Sequence, residues 1–258
     1  MRTNFSLIVS AAVALALPAC GPHSGPNVGG ASAEPAAATP GGDPTAKTTI
    51  LEAGAATLQA KAPLSGIHAH VCGFHYYAGD VGRQVEAHHY CSHLNQDVMQ
   101  CIIYDSDKQD ARLIGIEYIV SAKVFASLPD EEKRLWHSHV YEVSSGELTG
   151  PGLPDVAEKQ LMKDLIGTYG KTWHTWQIDR GDQLPVGFPQ LMMGFTKDGQ
   201  ADPLMVQRRD QRYGTSSAAK RQERADIPHP EIDPEADGKS GTQVMQLSLS
   251  PAVAKDVK

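Results

Sequence analysis

Histidine and glutamate recur at a spacing of two residues in the middle of the chain, and this spacing has direct consequences for metal binding. Three such pairs occur, namely His68 with His70, Glu86 with His88, and His137 with His139. Residues two apart lie on the same face of a β-strand, so each pair is placed to chelate one ion. Imidazole nitrogens and carboxylate oxygens suit zinc and similar divalent metals. The predicted ligands, in order of preference, are His88, His137, His139, His75 and Glu117.

Two interpretations of these residues remain open from the sequence. A metal ion with an open coordination position activates water, which would make the protein a metal-dependent enzyme. Alternatively, a histidine in a sheet donates with one ring nitrogen, accepts with the other, and needs no metal. The sequence contains no His-Glu-x-x-His, Cys-x-x-Cys or Cys-x-x-Cys-His motif. Motif spacing therefore does not decide between the two interpretations.

Three cysteines, Cys72, Cys91 and Cys101, lie in the same region. If the segments on either side of Gln96 form a hairpin, Cys91 and Cys101 face each other, because they are equally far from the turn. Facing Cβ atoms are about 4.5–5.5 Å apart, a distance that a disulfide can bridge. The alternatives are a Cys91–Cys101 disulfide or three buried thiols, and a redox role for the three cysteines is a further hypothesis.

The elements that must position these residues are predicted to be mostly strands. From Gly66 to about Ile178, short segments of β-branched, aromatic and histidine residues alternate with turn signals. Their short connections favour antiparallel pairing, since a parallel pair requires a crossover of about a dozen residues. The predicted strands are 67–77, 84–93, 98–104, 112–119, 137–143 and 172–178, and the predicted helices are 49–62, 121–127, one starting near 129 and one starting at 154. We therefore expect a single α+β domain over residues 48–196, an antiparallel or mixed β-sheet covered by helices.

The first residues have the pattern of an export signal. The apolar run from Phe5 to Leu17 is too short to cross roughly 30 Å of hydrocarbon as a permanent helix. The sequence Leu17-Pro18-Ala19-Cys20 resembles a bacterial lipobox, which predicts removal of the signal peptide 1–19 and diacylation of Cys20. An ordinary cleaved signal is the alternative.

A lipid anchor at Cys20 would attach the protein to a membrane that it does not span. Gly21, in place of the aspartate that retains lipoproteins at the inner membrane, favours the outer membrane of a bacterial cell envelope. Residues 20–47 are rich in Gly, Pro and Ala and cannot bury a core, so they are predicted to form a disordered tether.

Opposite charge blocks follow one another in the last part of the chain. Residues 207–224 carry six basic and two acidic side chains, whereas residues 225–239 carry five acidic and one basic. Such blocks are typical of a solvated tail, so residues 197–258 are predicted to be charged and partly disordered. A second interpretation is that the basic block contacts anionic lipid headgroups.

The overall composition excludes several classes of protein. The chain of 258 residues is 41% apolar, which is too high for wholesale disorder. It has no further apolar run of about 18 residues. The net charge of −7 argues against nucleic acid as a partner, because phosphate binding requires a basic surface.

A series of short motifs between Ile67 and Met193 resembles the oil-body-associated protein family, which is named from plant seeds and has bacterial members. The motifs are Cys72–Tyr77 (CGFHYY), Arg83–Cys91 (RQVEAHHYC), Gln100–Ser106 (QCIIYDS), Leu113–Ile119 (LIGIEYI), Leu135–His139 (LWHSH), Trp173–Gln177 (WHTWQ), Asp179–Asp182 (DRGD) and Pro189–Met193 (PQLMM). The resemblance implies a role near lipid. It brings no agreed activity, cofactor or catalytic residue. Because it extends to cytosolic plant proteins, where a disulfide does not persist, it favours three free thiols.

The sequence as a whole favours a membrane-anchored bacterial lipoprotein of this family that acts as a binding or structural module near lipid. Its partners would be the membrane, through the anchor at Cys20, and a lipid surface. The alternative is a metal-dependent enzyme that uses the histidine and glutamate residues of the sheet, with a divalent metal such as zinc as cofactor.

Overall fold

The computed structural model describes residues 39–240. The predicted signal peptide 1–19, the lipidation site Cys20, most of the tether and the end of the tail therefore lie outside the described residues. The seven strands are β1 (Ala69–Tyr77), β2 (Asp80–Asn95), β3 (Val98–Tyr104), β4 (Leu113–Ser121), β5 (His137–Ser138), β6 (Thr168–His174) and β7 (Gln190–Met193).

Six of these strands form one closed ring. Neighbouring strands pair antiparallel in the order β4, β3, β2, β1, β7 and β6, and β6 then pairs with β4 from Gly115↔His174 to Ser121↔Thr168. The short strand β5 pairs with β6 beside β7. Closure removes the unpaired strand edges that an open sheet exposes. The inward-facing side chains therefore form an enclosed core.

The predicted architecture, an α+β domain in which helices cover a sheet, is wrong. The protein is a closed six-stranded antiparallel β-barrel with short helices and is mostly β. An open sheet and a closed ring have the same local alternation of side chains, and closure depends on a pairing between β4 and β6, which are distant in sequence. In addition, β1 and β2 are buried on both faces in their central part, which is a pattern typical of strands covered on two sides.

The strand positions agree with the sequence pattern in the first half of the barrel and differ in the second. The segment predicted as a strand at 137–143 contains only the two residues of β5 and then the helix Val140–Ser144. The strand predicted at 172–178 is β6, which starts at Thr168 and ends at His174. The strand β7 is too short for a periodicity of two to indicate it.

The helices among the described residues are short. They are α1 (Ala46–Leu58), α2 (Ala62–Ser65), α3 (Ala122–Ala126), α4 (Asp130–Lys133), α5 (Val140–Ser144), α6 (Asp155–Leu165), α7 (Pro203–Tyr213), α8 (Ser217–Glu223) and α9 (Asp237–Ser240). α6 starts after Pro154, and Asp155 and Glu158 in its first turn complement the positive end of the helix dipole. None of the helices between residues 39 and 240 has the length and apolar character that a bilayer crossing requires.

The barrel interior has two apolar layers with a polar layer between them. One apolar layer contains Val71, Met99 and Ile119, which pack with Leu165 of α6. The other layer contains Tyr77, Val85, Ala87, Ile103, Ile114 and Met192. Along β1, β2 and β4 the buried polar residues His75, His89 and Glu117 lie between these layers. The barrel therefore encloses charged and titratable groups rather than a continuous apolar core.

The segment predicted as a loose tail instead contains two helices that pack on the outside of the barrel. Arg209 of α7 is fully buried, and its guanidinium lies 4.9 Å from the centre of the Phe74 ring of β1. It donates hydrogen bonds to the Glu147 carbonyl at 2.6 Å and to Thr149 Oγ1 at 3.2 Å, and its Nε bonds Asp210 Oδ1 at 2.9 Å. This part of the basic block is an internal support of the fold.

Other basic side chains of the block are also engaged within the protein. Lys220 and Arg224 are buried, and Lys220 forms an ion pair with Glu158 of α6. Arg224 Nη1 donates to two backbone carbonyls, those of Val143 and Leu148, at 2.9 Å each. These side chains satisfy buried acceptors, so they are not free to contact lipid headgroups.

The hairpin of β2 and β3 places Cys91 directly opposite Cys101, as the turn at Gln96 predicts. The two residues are joined by a disulfide, with Cα atoms 4.1 Å apart. Cys72 is a free, buried thiol. This arrangement differs from the three free thiols that the family resemblance favours.

Replacing Arg209 with leucine tests whether α7 belongs to the folded domain. The variant leaves the Glu147 carbonyl and the Asp210 carboxylate without their buried partner, so we expect the free energy of unfolding to fall by about 3–5 kcal/mol. The neighbouring Arg208 is exposed, and Arg208→Leu should change it by less than about 0.5 kcal/mol. Urea unfolding followed by tryptophan fluorescence measures both. Equal, small effects would show that α7 does not support the barrel.

Thiol titration tests the Cys91–Cys101 bond. In a Cys20→Ser chain denatured without reductant we expect one reactive thiol, from Cys72, and three after reduction. In the double variant Cys91→Ser/Cys101→Ser, the free energy of unfolding should be lower by about 2–3 kcal/mol, because the disulfide no longer closes the loop between these residues in the unfolded chain. Three reactive thiols before reduction would contradict the bond.

Candidate functional site

Seven buried polar side chains meet in the middle of the barrel, and we call them the barrel cluster. They are His75 on β1, His89 on β2, Glu117 on β4, His137 in β5, His139 before α5, Glu142 in α5 and His174 on β6. Side chains directly opposite each other on paired strands lie on the same face of the sheet. Cys91 is opposite Cys101, and Cys101 is opposite Glu117, so all three point into the barrel. The strand pairing therefore brings together residues that are far apart in the chain.

The carboxylate of Glu117 is the centre of the cluster. Its Oε1 lies 3.3 Å from His139 Nε2 and 3.6 Å from His137 Nε2. Its Oε2 lies 2.8 Å from His89 Nε2 and 3.9 Å from His75 Nε2. Ligand atoms that share one ion at about 2.1 Å are roughly 3.0–3.5 Å apart. The donor atoms are thus spaced nearly as they would be around a single metal ion.

A second carboxylate, that of Glu142, borders the same space, with Oε2 3.9 Å from His137 Nε2. Burial and the charge of Glu117 raise the pKa of Glu142 well above its usual value. Burial by itself would raise the pKa of Glu117 as well, but the imidazoles of His89 and His139 outweigh it and hold this pKa well below its usual value. Without a cation, the cluster therefore holds one ionised and one protonated carboxyl group.

Three histidines of the cluster are held in the neutral form by burial. Burial lowers the pKa of His75 well below its usual value, and lowers the pKa of His137 and of His174 to about 3. A neutral imidazole has one nitrogen lone pair, which is the form that binds a metal. The rings of His75 and His137 therefore offer a ligand atom without losing a proton first.

Two of the rings are oriented by a partner on the nitrogen that faces away from Glu117. Thr168 Oγ1 lies 2.8 Å from His139 Nδ1. His174 Nε2 lies 3.3 Å from His75 Nδ1. Such outer contacts fix the ring and the tautomer of metal-binding histidines.

Several buried polar atoms of the barrel cluster and its neighbour Thr172 have no hydrogen-bond partner. They are both ring nitrogens of His89 and of His137, Nδ1 of His174 and Oγ1 of Thr172. His89 Nε2 is close to Glu117 Oε2, but the direction of approach is not that of a hydrogen bond. Buried polar groups are paired in the great majority of cases. Imidazole nitrogens that face carboxylates in this way are positioned to bind a cation.

A glycine keeps the centre of the cluster open. A Cβ atom on Gly170 of β6 would lie 2.0 Å from Glu117 Oε1 and 2.9 Å from the Nε2 atoms of His137 and His139. Any other residue at this position would fill the space between these three donors. A cavity of about 20 Å³ is lined by His75, His89, Glu117, His139 and Glu142, among others. A water molecule needs about 10–15 Å³, so the cavity accommodates one ion or one water.

The structure brings four of the five predicted ligands together and separates the fifth. His75, Glu117, His137 and His139 belong to the barrel cluster. His88 points to the opposite face of β2, where it faces Glu86 and Cys72, and we call these three residues the outer cluster. Adjacent strand residues point to opposite faces, so His88 and His89 cannot serve the same site.

The sequence prediction missed His89, His174 and Glu142. His89 and His174 could have been found from their spacing, because each shares a strand face with other inward residues such as Cys91 and Thr172. Glu142 carried no such signal, since it lies in α5 within a segment predicted as a strand.

Comparisons with known proteins agree with the motifs that run through these strands. A family model described as "Protein of unknown function (DUF1264)" matches residues 61–228. Oil body-associated protein 1B of Arabidopsis thaliana is 46% identical over 86% of this chain and 92% of its own length. Oil body-associated proteins 1A and 2A of Zea mays are each 50% identical, over 74% and 75% of this chain and 81% and 77% of theirs.

No solved structure matches the chain. The family match ends at residue 228, so it includes α7 and α8, which lie beyond the predicted end of the domain at 196. The identity to plant relatives runs over the strands that hold both clusters. The chain belongs to the DUF1264 family, and the plant oil-body-associated proteins are its relatives.

Proposed function

We propose that this chain is a metalloprotein whose barrel cluster binds one divalent transition-metal ion as a resident part of the fold. The observation that carries the proposal is the set of buried, unpaired imidazole nitrogens of His89 and His137 beside the carboxylates of Glu117 and Glu142. A buried donor without a partner costs about 1–3 kcal/mol. An ion at this point would bind the Nε2 atoms of His89 and His137, which face Glu117, together with the carboxylates.

The donor set favours zinc or iron(II). The cluster offers only imidazole nitrogens and carboxylate oxygens, which suit borderline metals, whereas calcium and magnesium prefer oxygen alone. Glu117 and Glu142 together carry two negative charges when ionised, so one divalent ion makes the buried site neutral. Neutrality is required at such depth, because an uncompensated buried charge is costly.

The enclosure of the cluster supports a binding or structural role over an enzyme that acts on a large substrate. His137 and His174 are fully buried, and Glu117 is 2% exposed. The cavity of about 20 Å³ leaves room for little more than the ion or a water. An ion held there stabilises the folded state by its binding free energy.

We also propose that the protein acts at a lipid surface, to which acyl chains on Cys20 attach it. Two arguments support this location: the lipobox pattern before Cys20, and the names of the relatives, which associate those plant proteins with oil bodies. On the described part of the chain, Ile116 and Tyr118 project from the outer face of β4 and are 39% and 43% exposed. Tyrosine beside aliphatic residues suits the boundary between water and lipid.

Elemental analysis of protein purified without a polyhistidine tag tests the metal site. We expect the parent protein to contain zinc or iron and Gly170→Ala to lose one equivalent per chain, because the added Cβ fills the space between Glu117, His137 and His139. Gly54→Ala is the matched control, since a Cβ there meets nothing within 4 Å. Circular dichroism establishes that both variants fold.

The same samples report the effect of the ion on stability. Removal of the metal with a chelator should lower the thermal midpoint of the parent protein and of Gly54→Ala by more than it lowers that of Gly170→Ala, which lacks the barrel ion. A parent protein with no metal, or a content that Gly170→Ala and His137→Ala leave unchanged, would refute the proposed centre.

Cell fractionation tests the lipid anchor separately. In a bacterial host, we expect the full chain to fractionate with envelope membranes and the Cys20→Ala variant to remain unprocessed or leave the membrane fraction, because it cannot be acylated. Ser24→Ala, four residues further along, is the control. Normal processing and unchanged membrane association of Cys20→Ala would contradict the anchor and leave the barrel site unaffected.

A further inference from the structure

We propose a second metal site in this protein, a zinc site formed by Cys72, Glu86 and His88 on the outer face of the barrel. It is separate from the barrel cluster, because these three side chains point away from the interior. The site takes a thiolate sulfur, a carboxylate oxygen and an imidazole nitrogen as ligands. This combination suits zinc.

The register of β1 and β2 builds the outer cluster. Cys72 is directly opposite His88 in the antiparallel pair, and Glu86 precedes His88 by two residues on the same face. Cys72 Sγ lies 3.4 Å from Glu86 Oε1, and His88 Nε2 lies 3.0 Å from the same oxygen. Bonds of about 2.3 Å to sulfur and 2.1 Å to nitrogen and oxygen give separations of roughly 3.0–3.6 Å between ligand atoms. The ligand atoms of all three residues lie within 4.8 Å of one another, so the three donors can converge on one ion.

The outer cluster is buried although it lies outside the barrel, because α7 covers it. Cys72 is fully buried and His88 is 1% exposed. Glu86 is partly buried and also pairs with Arg212 at the end of α7. Arg212 contacts Oε1 of Glu86, the same oxygen that faces Cys72 and His88, so an ion would replace Arg212 at this oxygen, while the strands and α7 hold the ligands in place.

His88 has the outer contacts that are typical of a metal-binding histidine. Its Nδ1, which faces away from Glu86, lies 3.2 Å from His70 Nε2 and 3.4 Å from the Tyr213 hydroxyl. The Tyr213 hydroxyl in turn donates to Asp107 Oδ2 at 2.8 Å. These contacts orient the ring so that Nε2 faces Cys72 and Glu86.

The charges near the outer cluster balance with an ion in place. A thiolate at Cys72 and the carboxylate of Glu86 offset a divalent cation, and Asp107 offsets Arg212. Burial, with the charge of Glu86, raises the pKa of the Cys72 thiol far above its usual value. Binding of zinc to the thiolate releases the thiol proton.

Cobalt(II) replaces zinc in such sites, and its absorption distinguishes the outer cluster, which has a thiolate ligand, from the barrel cluster, which has none. We use a Cys20→Ser background without reductant, so that Cys72 supplies the free thiol. We expect two equivalents of cobalt to bind, and a near-ultraviolet thiolate-to-cobalt charge-transfer band to appear. Cys72→Ser should abolish the band and one equivalent, whereas His137→Ala should keep the band and remove the other equivalent.

Glu86→Gln keeps the shape of the site and the side chain's hydrogen bonding but removes the charge. We expect the cobalt affinity that is read from the band to fall at least ten-fold, whereas Glu132→Gln, a partly exposed glutamate elsewhere, should not change it. Circular dichroism checks that each variant folds. A folded parent chain without the band, or a band that survives Cys72→Ser, overturns the outer site and leaves the barrel site untouched. Loss of the band in a folded His137→Ala variant likewise overturns an outer site that is separate from the barrel cluster.

Discussion

The buried negative charge of Glu117 is the constraint on which the interior of this protein depends. A carboxylate in the centre of a closed barrel has lost its water, and it is stable only when the surrounding groups replace that solvation. Here the replacement consists of imidazoles from β1, β2 and β5 and from the residue before α5. Because these rings come from distant parts of the sequence, the barrel has to close for the charge to be accommodated.

The same constraint explains why the cluster is suited to a cation. The imidazoles turn a nitrogen toward Glu117, and both nitrogens of His137 lack hydrogen-bond partners. Glu142 adds a second acid that has to keep its proton while no cation is present. Gly170 leaves space at the point where these donors converge. A divalent ion in this space would offset the carboxylate charge and take imidazole Nε2 atoms as ligands.

The outer wall of the barrel is organised by a different set of buried charges. Arg209 and Arg224 satisfy carbonyl groups of the segment between α5 and α6, and Lys220 pairs with Glu158. These contacts attach α7 and α8 to β1 and α6, which agrees with the extent of the family match to residue 228. They also cover the outer cluster, so that adjacent residues of one strand, His88 and His89, serve two separate buried environments.

The sequence by itself determined the local features that depend on near neighbours. The antiparallel hairpins, the register of Cys91 against Cys101, and the shared face of Glu86 and His88 follow from turn positions and from the two-residue period of a strand. The sequence also pointed to four ligands of the barrel cluster. The sequence did not show that His75 and His137 lie together, that Glu142 belongs to the cluster, or that His88 lies outside it. These positions depend on which strands become neighbours.

Only the tertiary structure decided that the sheet closes on itself and that the charged helices α7 and α8 pack on the barrel. Side-chain alternation is identical in open and closed sheets, so the pairing of β4 with β6 leaves no trace in the local pattern. Likewise, the sequence does not distinguish an arginine that is buried and paired inside the fold from one in a solvated tail. The difference lies in the acceptors that the fold brings to them, such as the Glu147 carbonyl at Arg209.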